Sequence, residues 1–348
     1  MARRRVVVSA ACVVGLVMLL VLNLEGIKAR QQLPLNSVTE NTLPCLGLPG
    51  ANDVVVVLRT GSTELADKLP IHLSTTLRCY PNYLIFSDHE ETYEGERVLD
   101  ALDSVSEEIQ QTNKDFELYR RLRGGGREAL DLSELSGAKT ELIQGVGKGN
   151  NPGWSLDKWK FLPMVNRTFY EQPYMKWYVF VEADSFIFWK STLQYLSMVD
   201  HTTPAYMGSQ MYSGGILFAH GGSGFIVSQP AMRMFVDYYA AHKKELETFT
   251  DQQWAGDCVL GKVFKDAGVT FRNAWPIFQD DYPGIVAYAK PDGRPVADEK
   301  MRIWCYPTTS YHHLTPALVE DLWQFDQQLL ASSHEVSLLT TFPKPRQR

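Results

Sequence analysis

What this sequence most plainly lacks is a basic stripe. Its 348 residues carry 34 Lys and Arg against 40 Asp and Glu, a net charge of -6. Without a positive face to meet phosphate backbones, nucleic acid is set aside as a partner. Cysteine is scarce, at five residues. Cys12 lies in an apolar N-terminal run, which leaves Cys45, Cys79, Cys258 and Cys305. Four cysteines beyond a secretory-type leader suit two disulfides in an oxidising compartment. Three pairings exist; Cys45–Cys79 with Cys258–Cys305 is preferred because each closes a local loop. A Walker loop is missing as well, since no Gly-Lys-Ser/Thr follows the glycines at 221–224. Asparagine-linked glycosylation has a single sequon, Asn166-Arg167-Thr168. What is present is 45% apolar residues, enough for one large globular domain or two small ones.

The N-terminus reads Met-Ala-Arg-Arg-Arg, followed by an uncharged run from Val6 to Leu22. As a helix that run is about 25 Å long, which suits the thinner bilayers of the early secretory pathway. Arg3, Arg4 and Arg5 place the N-terminus in the cytoplasm. The expectation is a 1–5 tail, a 6–22 signal anchor and a 23–51 stem. A cleaved signal peptide is the rival, but no small-x-small site follows Leu22 cleanly.

Asp53 to Leu58 reads as a strand, and Leu65, Leu69, Leu73 and Leu77 mark a helix face that Pro70 can distort. Tyr83 to Asp88 is a second strand. Strand, helix, strand is a right-handed βαβ unit with parallel strands. Arg59, Thr60, Gly61 and Asp88 then fall at the carboxyl edge of the sheet, where such folds hold a nucleotide. A plain βα turn has the same sequence. Residues 90–150 are charge-rich and read as a surface insertion. Ser155 can cap a helix carrying Leu156, Trp159, Phe161 and Leu162 on its inner face, and Lys158 on it could reach a phosphate.

Trp177 to Val181 is a continuous apolar run entering Glu182-Ala183-Asp184. Such a run reads as a strand buried on both faces. A buried carboxylate costs several kcal/mol unless it is paired or bound to metal. Acids where a core strand emerges therefore point to a ligand. Gly221, Gly222 and Gly224 allow close backbone approach or positive φ. Gln229 to Ala241 is an amphipathic helix, Asp257 sits at a helix start, and Val269 to Phe271 is a short strand. His312 and His313 are adjacent; in an extended segment they point opposite ways, so at most one would bind a given metal. Residues 319–348 are a final helix and basic tail.

The order of these segments resembles glycosyltransferase family 31, the fringe and core 1 β1,3-galactosyltransferase group, and within it the fungal branch. The resemblance spans residues 52–318. It implies an α/β GT-A fold with a Rossmann-like nucleotide-binding sheet, a UDP-linked sugar donor, Mn²⁺ and inversion at the anomeric carbon. It also implies roles: Asp184, in the segment matching Asp-x-Asp, and His312, in Ser-Tyr-His, as metal ligands, and Asp257 as catalytic base. Gly221 to Phe225 matches the segment that shapes the pocket, and Arg59, Thr60, Gly61 and Asp88 sit at strand ends that hold the nucleotide. Three positions depart from the family: Glu182 replaces the first acid, Ser185 the third, and Gly256 the acid before Asp257. The longer Glu182 is expected on the ribose or uracil side.

The physical case runs in parallel. A sugar diphosphate leaving group needs a hard cation, and mixed carboxylate and imidazole ligands suit Mn²⁺ better than Ca²⁺. An acceptor hydroxyl needs a base, for which Asp257 is the candidate. Trp154, Trp177 and Trp254 are candidate walls for sugar faces. The reading is a Golgi type II transferase acting on a glycan or glycoprotein acceptor, with a catalytically inactive binding relative and a carboxylate-pair glycoside hydrolase as rivals.

Overall fold

The computed structural model describes residues 43–135, 151–286, 303 and 306–332. The expected tail, anchor, most of the stem, Cys305 and the basic tail lie outside those residues. Among the described residues no helix is long and apolar enough to cross a membrane.

Twelve described strands alternate with helices. β1 (Val54–Arg59) runs into α1 (Leu65–Ser74), β2 (Tyr83–Ser87), β3 (Glu91–Tyr93) and β4 (Glu96–Asp100). α2 (Glu107–Thr112), α3 (Glu117–Gly125) and α4 (Pro152–Glu171) lead to β5 (Trp177–Glu182), β6 (Phe186–Ile187) and α5 (Trp189–Ser197). β7 (Tyr206–Gly208), β8 (Gln210–Ser213), β9 (Ile216–Ala219) and β10 (Phe225–Ser228) precede α6 (Gln229–Asp251) and α7 (Gly256–Asp266). β11 (Phe271–Asn273), β12 (Ser310–Tyr311) and α8 (Pro316–Ala331) follow.

Eight strands form one sheet in the order β11-β7-β10-β5-β1-β2-β4-β3. β5, β1, β2 and β4 are parallel. Four valines and Leu58 leave β1 no polar face, and it is buried throughout. β-branched residues pack well on a pleated surface covered from both sides. The parallel strands deliver their carboxyl ends to one edge. Arg59 therefore stands in register with Glu182 on one side and Phe86 on the other, two residues before Asp88. This mixed α/β architecture, with its large and mostly parallel sheet, fits a GT-A-like fold.

One core cluster lies between the sheet and α4, α6 and α7, around Phe161, Phe180, Phe225, Phe235 and Phe264. A second packs Leu102, Phe116, Tyr119 and Leu122, where a surface insertion was expected, against Leu156 and Trp159 of α4. That expectation needs correction at 96–100: Val98 and Leu99 are buried in β4, beside β2. A strand this short, with Glu96, Arg97 and Asp100 among its five residues, shows no periodicity. Residues 136–150 lie outside the described part.

Two further corrections follow. α4 begins earlier than expected, capped by Asn151, whose side chain accepts from the Gly153 N–H, with Pro152 in the first turn; Ser155 is inside the helix. Cys45 and Cys79 form the expected disulfide, with Cα atoms 5.4 Å apart. Cys258 is a free, buried thiol in α7, and its expected partner, Cys305, lies outside the described residues. The sequon lies in α4 with Thr168 fully buried, and so lacks the exposed loop an acceptor asparagine needs.

Candidate functional site

The turn after β1 is held by a buried polar network. Arg59 donates to Asp157 and to Glu182, and its guanidinium lies 4.0 Å from the centroid of the Phe161 ring. Asp88 is fully buried; its Oδ1 accepts from the Ser62 N–H at 2.7 Å and from the Ser62 hydroxyl at 2.5 Å. Burial would push the Asp88 carboxyl up, but Lys160 and Ser62 outweigh it and hold it below its ordinary value. Lys160 Nζ donates to the Thr60 carbonyl at 3.0 Å and sits 3.4 Å from Asp88 Oδ2. A Cβ on Gly61 would approach Lys160 Nζ to 3.1 Å, so this turn is close-packed against the lysine.

Lys158, expected at this turn, is elsewhere. Its ammonium pairs with Asp115 at 2.9 Å and donates to the Asp251 carbonyl at 3.0 Å. On a helix, positions 157, 160 and 161 share one face and 158 does not. Asp157, Lys160 and Phe161 all meet the β1 turn, so the lysine of the site is Lys160.

At the end of β5 the second acid group gathers. Asp184 Oδ1 is 3.3 Å from His312 Nε2, and Asp184 Oδ2 accepts from Lys68 Nζ at 3.1 Å. Glu182 Oε2 is 3.8 Å from the same His312 nitrogen. His312 Nδ1 faces the Asp280 carbonyl at 3.3 Å, which fixes the ring from behind. Burial alone would raise the Glu182 carboxyl, yet Arg59 and His312 bring it down to about 2. Asp184 is held well below the usual carboxylate range because Lys68 and His312 outweigh its burial. Burial disfavours the imidazolium of His312, but Asp184 and Glu182 raise it to about 10.

His313 joins this group, contrary to the alternation argument. Its backbone has φ +57°, so the segment is not extended there, and its ring centroid lies 3.7 Å from that of His312. Ligand atoms of Asp184, His312 and His313 all lie within 4.8 Å of one another. Asp184 Oδ1 is buried, and the group facing it is His312 Nε2, 3.3 Å away. A buried carboxylate oxygen facing two imidazoles, whose nitrogens can bind a cation in place of a proton, fits a metal cation, and these three residues form a candidate metal site.

The glycines are set by space. A Cβ on Gly222 would lie 2.1 Å from a His312 ring carbon, and one on Gly221 would lie 3.0 Å from the Phe161 ring. Gly224 has φ +84°, the left-handed region that favours glycine. Two serines pin this turn: Ser185 donates to the Gly222 carbonyl and Ser310 to the Ser223 carbonyl, each at 2.6 Å. Ser185 thus replaces an acid with a tether. Gly256 is forced too, because a Cβ there would meet the Phe161 ring at 2.3 Å and the Lys158 carbonyl at 2.7 Å. An acid has no room at that position.

Asp257 sits in the first turn of α7. Its Oδ2 accepts from the Gly221 N–H at 3.0 Å and its Oδ1 from the Cys258 N–H at 2.8 Å. Burial raises its carboxyl above the ordinary value, against the pull of the Gly221 N–H and His220. Asp257 and His312 therefore contact neighbouring residues of one turn, Gly221 and Gly222. Among the tryptophans, Trp177 is buried in β5, whereas Trp154 and Trp254 are exposed at 39% and 60%. Trp254 stands three residues before Asp257.

Sequence reasoning missed Lys68, Asp157, Lys160 and His313. Residues 160–274 match the family model described as Fringe-like. No curated protein matches the chain.

Proposed function

With a Fringe-like segment at residues 160–274, which implies a glycosyltransferase, we propose that this protein moves a sugar from a UDP-linked donor to a hydroxyl of a glycan or glycoprotein. The reading includes inversion, a β1,3 linkage, Mn²⁺ and a type II setting in the Golgi membrane. The observation that carries it is the shared turn: the candidate metal ligand His312 packs on Gly222 while the candidate base Asp257 accepts from Gly221.

Asp184, His312 and His313 would hold the metal, with Asp184 Oδ1, the oxygen that faces His312, as the first ligand. A divalent ion bound there would supply positive charge to the diphosphate as it leaves. The chain does the rest. Lys160, Asp88 and the 60–62 backbone form a rigid turn for the nucleotide, and Arg59 orients Glu182 beside it. The acceptor hydroxyl attacks the anomeric carbon and its proton passes to Asp257. The bond from that carbon to the diphosphate oxygen breaks, and UDP departs. The raised affinity of Asp257 for a proton suits it to this task, a contribution of ~10²–10⁴-fold.

The test is a thermal-shift titration with UDP, with and without Mn²⁺, on the wild type and Asp184→Ala. Ligand that binds the folded state raises its stability by mass action. The reading expects stabilisation by UDP that requires Mn²⁺ and disappears in the variant. A folded wild type that responds to neither UDP nor Mn²⁺ would sink it.

A further inference from the structure

The metal-facing carboxylate is held in place by a group outside the ligand set. Lys68, on α1, donates to Asp184 Oδ2 at 3.1 Å, and its ammonium lies 2.8 Å from Glu64 Oε2 one turn earlier. Glu64 in turn accepts from the Thr60 hydroxyl at 3.3 Å, at the tip of the nucleotide turn. The two oxygens of Asp184 thus differ. One accepts from Lys68, and the other is buried and faces His312 Nε2 at 3.3 Å. A carboxylate free to rotate about its last bond presents either oxygen to either side. The Lys68 bond removes that freedom.

We propose that Lys68 is a positioning residue for the metal site, fixing Asp184 so that Oδ1 is the oxygen offered to the cation, and that Glu64 neutralises the lysine so that this costs the site no net charge. The inference rests on the proposed metal site but not on the transfer reaction. A lysine beside a metal ligand would by itself repel a cation. Here the Glu64 carboxylate, 2.8 Å from the ammonium, offsets part of that field, so the ordering effect of the hydrogen bond outweighs the repulsion. Outer partners that orient a ligand are typically worth 10–100-fold in metal affinity. Because Thr60 anchors Glu64, the same chain ties the nucleotide turn to the metal ligand.

The opposite role is a plug: Lys68 occupying the acid until metal displaces it. The two roles predict opposite signs. Mn²⁺ affinity is read from the free-ion EPR signal, without substrate, for the wild type, Lys68→Arg and the charge-neutral double variant Glu64→Gln/Lys68→Met. Circular dichroism and Tm establish that each is folded. Positioning predicts a loss of ~10-fold or more in the double variant and partial retention with arginine, which can still donate. Unchanged or tighter Mn²⁺ binding in a folded double variant overturns the proposal and leaves the metal site standing. A wild type that binds no Mn²⁺ overturns both. If the double variant fails to fold, Lys68→Arg decides: a weaker, measurable affinity supports positioning, and wild-type or tighter binding refutes it.

Discussion

Replacing Gly222 with alanine is the sharpest perturbation of the site. The new methyl carbon would lie 2.1, 2.3 and 2.5 Å from three atoms of the His312 ring. Ordinary contact begins near 3.4 Å, so the ring or the turn must move by roughly 1.3 Å. The turn resists, because Ser185 holds the Gly222 carbonyl and Ser310 the next one. The ring is the freer part, and moving it breaks the 3.3 Å approach of its Nε2 to Asp184. Gly222 does not have positive φ, so alanine brings no backbone strain and the protein is expected to fold. A displacement of about 1 Å at a reacting centre is worth ~10²-fold. We therefore expect Gly222→Ala to weaken Mn²⁺ binding and lower kcat/KM by about that factor, while Tm falls by only a few degrees. EPR titration, a UDP-release assay and calorimetry read the three quantities. Full activity with unchanged Mn²⁺ affinity would show that His312 is not part of the working site.

Two further outcomes follow from buried acids. Asp257 has its carboxyl raised by burial, so activity should climb with pH through an acid limb shifted upward from that of an ordinary aspartate as the base ionises. Asp257→Asn should lose ~10²–10⁴-fold in kcat and that limb with it, yet bind UDP normally; retained kcat would remove the assigned base. Asp326, 5% exposed on α8, is raised by burial to about 7, with Lys190 pulling it down. A folded value above the unfolded one means the folded chain binds the extra proton. Stability is then full below about pH 4 and declines as pH rises toward 7. Asp326→Asn should remove that slope and raise Tm at pH 8 by about 2–4 °C. Parallel pH–Tm curves for the two proteins would contradict this.

The strands that set the site's edge could be read from their residues alone. Val54 to Leu58 and Trp177 to Val181 have no polar member, and only a strand covered on both faces accommodates that. Asp184, Asp257 and His312 came from matching the family, since spacing by itself allowed each a structural role. Lys160 was within reach of helix geometry, as its 3.6-residue period places it with Asp157 and Phe161. His313 was not. The alternation rule holds for extended backbone, and φ +57° is a tertiary outcome that two histidines in a row do not announce. Lys68 was hidden for a related reason: i, i+4 pairing with Glu64 makes it look like an ordinary solvated helix face.

The two serine tethers have a consequence for how the protein is made. Ser185 joins its turn across 37 residues and Ser310 joins it across 87. At 5–20 residues per second, the second span takes about 4–17 s to synthesise. During that interval the sheet strands through β10 have emerged, but the Gly222 carbonyl has one tether and His312 does not yet exist. A nascent chain can thus hold most of its core before it can hold a cation. Binding competence arrives late and at once, when the segment carrying Ser310, His312 and His313 docks on the finished sheet edge.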